Sequence, residues 1–519
     1  MTNQSEEKTK AVPGAAFPQH FPNSTVKVCQ LTGDFDAHLG KPTLSRTLER
    51  FGVPGTDLGN PVEHKGRLYF LFGDTGVLGR RWMRDPIAYT TSTDPERIKL
   101  EFLADDDGLF RPITIPAIRH LAFEVPVGGI SINDVMYIAF VTGYSKEKIM
   151  GRSVLAVSED DGYTFEYLYE LSQDKFLNVA MTEVAPGQIK GLPGSTNQVL
   201  IWGAGEYRRS NPYLAAVSSE KIRDKNAIRY FAGADKSRKP RWSPSESDAV
   251  PLFDHPHIGE FSVAWCDQLR HWLMLYNSSY VDHRGVVFRS AKLPWGPWSD
   301  MEIIFSEFDS GGYGTFMHSP DLQETVGTKL SELKREYIWG HVYGPYMLRR
   351  YFRGDARKCT IYFTMSTWNP YQTVIMRADV GYPDQKVPRP PQERDERVPT
   401  SGTPTTTDCM LIFGRDNRLL YANQAAMDHM GMTQDRVMND PSHVPDCWRL
   451  WTNRIARVFE TGKPIRAEDA IPIVDRLIYL SFTLSPIYDP EGAVSAVSVV
   501  YRDITEQREV EQEQQNRQP

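Results

Sequence analysis

Two aspartates, Asp57 and Asp74, stand at mirror-image distances from Lys65-Gly66 in the stretch GTDLGNPVEHKGRLYFLFGDT, Gly55 to Thr75. With Lys65-Gly66 as the two-residue turn of an antiparallel hairpin, opposed residues sum to one number. Asp57 and Asp74 then form a cross-strand pair at its open end, with Cβ atoms about 5 Å apart. Like charges directly opposite destabilise a sheet, so the pair calls for a cation, a shared proton or a task. Glycoside hydrolysis is such a task. It needs one protonated carboxyl and one carboxylate, about 5 Å apart for retention and about 6.5–9.5 Å for inversion. Mutual repulsion raises one pKa and leaves the other group ionised, so two like side chains take different roles. Spacing does not say which is which. The competing reading has Asp57 cap the turn from Gly55 to Gly59 while Asp74 accepts from backbone amides.

The elements that position this pair recur along the chain. An aromatic-rich strand appears as LYFLFGD, VMYIAFVTG, VLIWGAGE, HWLMLYNS and CTIYFTMS, each followed by a second apolar strand: IAYTTSTD, SVLAVSED, YLAAVSSE, VVFRSAKL and TVIMRADV. Five such units predict a mainly β, five-bladed β-propeller over residues 26–385, because radial repetition protects sheet edges. Asn133-Asp134 and the stretch from Asp267 to Arg270 punctuate hairpins. SEDDGYTF, Ser158 to Phe165, fits the Asp-box turn of sialidase-like propellers, a structural motif in which Ser158 and Asp160 cap backbone amides and Gly162 takes unusual dihedrals.

In this topology the C-terminal ends of the second strands share a face with the starts of the aromatic-rich strands. Asp57, Asp74, Glu206, Tyr207, Arg208, Glu260, Tyr280, Trp368 and Asn369 are expected to converge near one such face or the central channel. Glu260 is a third catalytic candidate, useful as an acid or for orienting water, with a salt bridge to a neighbouring arginine as its alternative. Arg208 and Asn369 suit hydrogen bonds to sugar hydroxyls, and Asn60 and Ser210 join them as substrate-binding candidates. Tyr207, Tyr343 and Trp368 suit stacking on sugar faces, with blade core as the competing role, and Tyr280 completes the substrate set.

Whole-chain numbers bound the function classes. At 519 residues at least two domains are expected. A net charge of -7 with pI near 6.0 gives no basic footprint for nucleic acid. Cys29, Cys266, Cys359, Cys409 and Cys447 are scattered without ligand spacing and read as reduced thiols. The histidines show no metal-binding spacing, His255 with His257 included. No resident cofactor or protein-bound metal is expected, calcium in the propeller channel being the one candidate ion. The first residues carry neither a basic segment nor an apolar core, and no run approaches the roughly 18 apolar residues of a membrane span. A soluble, cytoplasmic protein without membrane association is the expectation. A disordered tail is expected over 1–25, a Pro/Thr-rich linker over 386–407, a second domain over 408–506 and a helical tail over 507–519.

In the second domain, Asp416 to Ala426 and the terminal YRDITEQR, Tyr501 to Arg508, resemble a PAS domain. That resemblance implies an α+β sensor or homodimerisation module of about 100 residues, its ligand unspecified. His429, His443 and Cys447 read as solvated helix residues, since the flavin-adduct motif of light sensors is absent. The larger region resembles a family of propeller glycoside hydrolases that includes endo-acting D-arabinanases. The resemblance rests on GTDLGNP with FLFGDT, YRRSNPYLA, IGEFSV, SAKLPWGPWS and STWNPYQTVIMRA. It implies a hydrolase acting on furanosides, D-arabinan-like glycans, tuned by the PAS module. The alternative is a propeller that holds a carbohydrate without cleaving it, coupled to PAS signalling.

Overall fold

The computed structural model describes residues 17–77, 80–237, 239–279, 284–306, 310–319, 339–382, 409–416, 418–429, 451–473, 476–489, 493–506 and 508. The hairpin expected around Lys65-Gly66 joins Leu58–His64 to Arg67–Phe72. Lys65 and Gly66 both take positive φ, 46° and 78°, the two-residue turn whose twist matches the flanking strands. Register is constant from His64 opposite Arg67 to Asn60 opposite Leu71, then slips by one, so that Leu58 faces Phe72. Leu58 and Gly59, at φ 62° and 79°, form the bulge that inserts the extra residue. Asp57 therefore lies opposite Gly73, whose amide donates to the Asp57 carbonyl at 3.1 Å. The direct Asp57–Asp74 cross-strand pairing expected from mirror symmetry is thus corrected.

The first domain is mostly β, built among the described residues from five antiparallel sheets of four to six strands, with two two-stranded ribbons beside them. The aromatic-rich strands are Arg67–Phe72, Val135–Thr142, Gln198–Ala204, His271–Ser278 and Lys358–Thr367. Each lies inside its sheet, between a preceding strand and the second apolar strand. Such strands are buried on both faces, which is why they read as near-continuous apolar runs. In Arg67–Phe72, for example, Leu68, Phe70 and Phe72 pack with Tyr362 and Ile375 of the last sheet. The alternate residues Tyr69 and Leu71 pack with Met136, Ile138 and Phe140 of the second sheet.

The leading strands of the sheets touch in sequence. Leu58–His64 contacts Pro126–Ile132, which contacts Asn178–Val184, then Ile258–Cys266, then Val342–Met347, and the last returns to Leu58–His64. The last sheet is completed by the N-terminal region, since Val26–Gln30 and Gln19–His20 both pair with Gln372–Gly381. Gln19–His20 lies within the stretch expected to be a tail, so ordered structure starts before residue 26. At the Asp-box, Gly162 N–H donates to Ser158 Oγ and Thr164 N–H to Asp160 Oδ1, each at 2.8 Å, the capping role expected of it.

The C-terminal region is a five-stranded antiparallel sheet. Its strands run in the order Leu419–Ala422, Cys409–Gly414, Val494–Asp503, Arg476–Tyr488, Ile465–Ile473. The helices Gln424–His429 and Thr452–Thr461 accompany it. Asn423 Oδ1 caps the first by accepting from Ala426 N–H at 2.9 Å. The Asp-Ile-Thr turn closes on itself: Asp503 Oδ1 accepts from Thr505 N–H at 2.9 Å, and Thr505 Oγ1 accepts from Tyr479 N–H at 2.9 Å. In the core, Arg454 forms a bidentate, buried ion pair with Asp469 at 2.7 and 3.0 Å. The 386–407 linker, His443 and Cys447 lie outside the described residues. No helix among the described residues is long and apolar enough to cross a membrane.

One side chain of the first domain belongs to the second domain's core. Trp339, 3 % exposed, packs with Leu411, Phe413, Trp451, Ile455, Phe482 and their neighbours. It meets Tyr313 edge-to-face at 5.0 Å, and the Arg454 guanidinium lies 6.0 Å from its ring centroid. Burial raises the pKa of Asp469, and Arg454 together with the Trp339 indole offsets part of that rise.

Candidate functional site

Asp57 precedes the first leading strand and Asp74 follows the first aromatic-rich strand, so both sit at the rim where aromatic-rich strands end. This is the opposite rim from the one expected, because antiparallel pairing puts the end of Arg67–Phe72 beside the start of Ile87–Thr90, not beside its end. The bulge leaves Gly73 facing Asp57, and the missing side chain matters there. A Cβ at Gly73 would collide with Asp57 Oδ1 and approach Leu58 Cδ1 to 2.8 Å. Gly73→Ala is expected to cost about 1–3 kcal/mol of stability and to displace the Asp57 carboxylate. Thermal unfolding checks this, with the midpoint expected to fall.

Asp57 Oδ2 accepts from the Tyr343 hydroxyl at 2.9 Å, whereas Oδ1 is buried with no hydrogen-bond partner among the described residues. Burial and then the charge of Asp74 push its pKa up to about 7, against the opposing effect of the Tyr371 and Tyr343 hydroxyls. Asp74 is 9 % exposed and its Oδ2 accepts from Phe123 N–H at 3.0 Å. Burial pushes its pKa up to about 6, the Phe123 amide acting the other way. Neither carboxylate has an ion-pair partner among the described residues. Tyr371, whose hydroxyl donates to the Asp74 carbonyl at 2.8 Å, and Tyr343 are held neutral, their pKa values driven up by burial and by the Asp57 charge.

Sequence reading missed a third carboxyl. Asp85 is 4 % exposed, and its Oδ1 has no hydrogen-bond partner among the described residues. Burial, then Asp74 and Asp57, push its pKa well above the carboxylate range. Its signal was available: Asp85 lies just before Ile87–Thr90, the strand whose start shares a rim with Asp74.

Glu260 takes the alternative weighed for it. It is bound bidentately by Arg208, at 3.1 Å from Nη2 and 3.3 Å from Nε, with both side chains buried. Arg208 in turn lies over the rings of Tyr207 and Tyr343, 4.8 and 5.3 Å from their centroids. Tyr343 thus links the Arg208–Glu260 pair to Asp57. Its ring packs with Leu58, Tyr346 and the half-buried Trp368. Asn369 is fully buried, and its carbonyl accepts from His318 N–H at 2.9 Å.

Other candidates serve the framework. Asn60 Nδ2 donates to the Val127 carbonyl at 3.2 Å, tying the first leading strand to the second. Ser210 Oγ accepts from Gly205 N–H at 2.7 Å and donates to the Asn211 carbonyl at 2.8 Å, bracing its own loop. Glu206 is exposed and pairs with Arg209. Tyr280 lies outside the described residues. Among the described residues no group of three or more His, Cys, Asp or Glu side chains is arranged to hold a metal ion.

Residues 43–377, which carry all these side chains, match the family model described as a domain of unknown function, DUF4185. The chain belongs to the DUF4185 family. Beyond the DUF4185 region, residues 404–509 match the model of the PAS fold. The notoamide biosynthesis cluster protein J of Aspergillus sp. (strain MF297-2) is 27% identical over 300 residues, covering 52% of this DUF4185 protein and 76% of the relative. Among solved structures, a protein of unknown function from Dyadobacter fermentans DSM 18053 is 10% identical. It covers 70% of this chain and 100% of its own, with a TM-score of 0.33. The PAS domain of BvgS from Bordetella pertussis is 20% identical, covering 21% of this chain and 87% of its own, with a TM-score of 0.18.

Proposed function

We propose that this DUF4185 protein is a glycoside hydrolase acting on furanosides, that its five sheets are the blades of a propeller, and that the PAS-like domain tunes its activity. The observation that carries the reading is the Asp57–Asp74 pair: two carboxyls at one rim, without counter-cations among the described residues, with pKa values near 7 and 6. At neutral pH Asp57 keeps its proton in about half of the molecules while Asp74 is mostly ionised, the division of labour that glycoside hydrolysis requires. Asp57 is the general acid and Asp74 the nucleophile or base. Tyr343 and Tyr371 orient the acid, and Glu260 fixes Arg208, whose guanidinium holds the Tyr343 ring in place. The sugar class rests on the motif resemblance to endo-acting D-arabinanases. A cytoplasmic homodimer joined through the PAS-like domain, with no resident cofactor, belongs to the same proposal.

Burial favours a second reading, in which the first domain holds a sugar without cleaving it, since Asp57 Oδ1 is shut off from solvent. Release of reducing sugar from a panel of arabinans, other furanosides and aryl glycosides separates the two. Turnover on a furanoside is the expected result; binding without turnover on every substrate would establish the second reading.

A further inference from the structure

The loop that holds Asp74 carries an apolar surface that the acid pair itself does not use. Phe123, whose amide binds Asp74 Oδ2, is 42 % exposed, and Leu121 two positions earlier is 47 % exposed. The Phe123 ring stacks on Tyr144 from the next loop, centroids 5.5 Å apart and planes 18° from parallel. Buried Glu124 builds this arrangement by accepting from Leu121 N–H at 3.0 Å, Gly143 N–H at 2.8 Å and Tyr144 N–H at 2.9 Å. One carboxylate thereby pins the two loops that bear the rings. Phe123 also sits at φ 65°, a left-handed conformation that a bulky aromatic residue rarely takes and that costs about 1–3 kcal/mol where it persists. Folding stability alone gives no return on a strained backbone that leaves its aromatic ring in water.

We infer that Phe123 and Tyr144 form an aromatic platform for a sugar ring of the glycan beside the one that is cleaved. This rests on the glycoside hydrolase reading and extends it to a chain substrate spanning more than one subsite. An aromatic face takes the C–H face of a sugar and leaves the hydroxyls in water, so the platform adds affinity without demanding one hydroxyl pattern. Because the Phe123 amide also holds Asp74, ring and carboxylate are fixed by one residue. A sugar seated on the platform is registered against the acid pair through a single backbone link.

The test uses the full chain carrying Asp57→Asn, titrated calorimetrically with D-arabinofuranosyl oligosaccharides of increasing length, alone and combined with Phe123→Ala, Phe123→Tyr or Tyr144→Ala. Phe123→Ala is expected to weaken binding of the longer oligosaccharides by roughly tenfold, with Phe123→Tyr restoring it and Tyr144→Ala producing a partial loss. In the active protein, Phe123→Ala should raise KM for long substrates with little change in kcat. Unchanged affinity on Phe123→Ala overturns the platform, as does a loss accompanied by a shifted acid limb of the pH profile, which would trace the effect to Asp74. Failure of every oligosaccharide to bind overturns it too. Platform-dependent binding without turnover by the wild-type protein would leave the platform standing and remove the hydrolase reading, while turnover insensitive to Phe123 would do the reverse.

Discussion

Under the proposed hydrolase reading, replacing Asp57 with Asn is expected to lower kcat/KM on a furanoside substrate by roughly 10²–10⁴-fold, the usual contribution of a positioned general acid, while raising the protein's stability at pH 8. Asp74→Asn is expected to cost at least as much turnover. The wild-type pH profile should be a narrow bell, rising as Asp74 ionises near 6 and falling as Asp57 loses its proton near 7. Both limbs report the coupled pair as a unit. In Asp57→Asn the alkaline limb should vanish from the residual activity. The stability change follows from linkage. The Asp57 carboxyl titrates near 3.8 when unfolded and near 7 when folded. Between those values the folded state binds more protons, so stability falls as pH rises through that window and stays reduced above it. Asn removes the penalty, stabilising the protein at pH 8 by on the order of 1–3 kcal/mol, with the advantage fading as pH drops toward 4. Thermal unfolding of both proteins at pH 4 and pH 8 measures it. An identical difference at the two pH values would remove the claim that a buried, uncompensated carboxylate sits at residue 57.

What could be read from the sequence followed the strength of the local signal. Lys65-Gly66 specifies its turn because few residue pairs accept two left-handed conformations, and the aromatic-rich strands announce double-sided burial by their unbroken apolar runs. The slip at Leu58 and Gly59 was not legible. Glycine marks a bulge as an option, yet a leucine at φ 62° is adopted only because surrounding contacts impose it. That slip decides which residue faces Asp57, so mirror symmetry set Asp57 directly against Asp74 where the bulge sets it against Gly73. Choice of rim depended on tracking strand direction, and Asp85 was lost with it. Tyr371 could not be paired with Asp57 from spacing, since their chain separation is bridged only when the last sheet meets the first. Glu260 was legible as a carboxylate with a cation nearby, though only packing shows Arg208 held between Tyr207 and Tyr343.

Trp339→Ala is expected to destabilise the PAS-like domain by about 3–5 kcal/mol, the cost of emptying a fully enclosed indole site, although the residue lies outside that domain in sequence. The cavity would open among Trp451, Ile455 and Phe482 and leave the Arg454–Asp469 pair without its aromatic neighbour. In wild-type protein the shared core couples the two domains, so unfolding should be closely concerted. In the variant an early transition of the PAS-like domain should separate from the main one. Calorimetry detects this directly, and a single unshifted transition would show that Trp339 contributes nothing to that core. Under the proposed hydrolase reading the same substitution bears on turnover through the chain itself. Four positions after Trp339, Tyr343 donates to Asp57 Oδ2, and Tyr313 grips the intervening segment by donating to the Gly340 carbonyl at 2.9 Å. The Tyr343 hydroxyl favours the ionised form of Asp57, so loosening it should raise the Asp57 pKa and move the alkaline limb above about 7. A shifted limb would make Trp339 the mechanical link by which the state of the PAS-like domain reaches the acid pair; a limb that stays in place while the domain is destabilised would confine Trp339 to holding the two domains together.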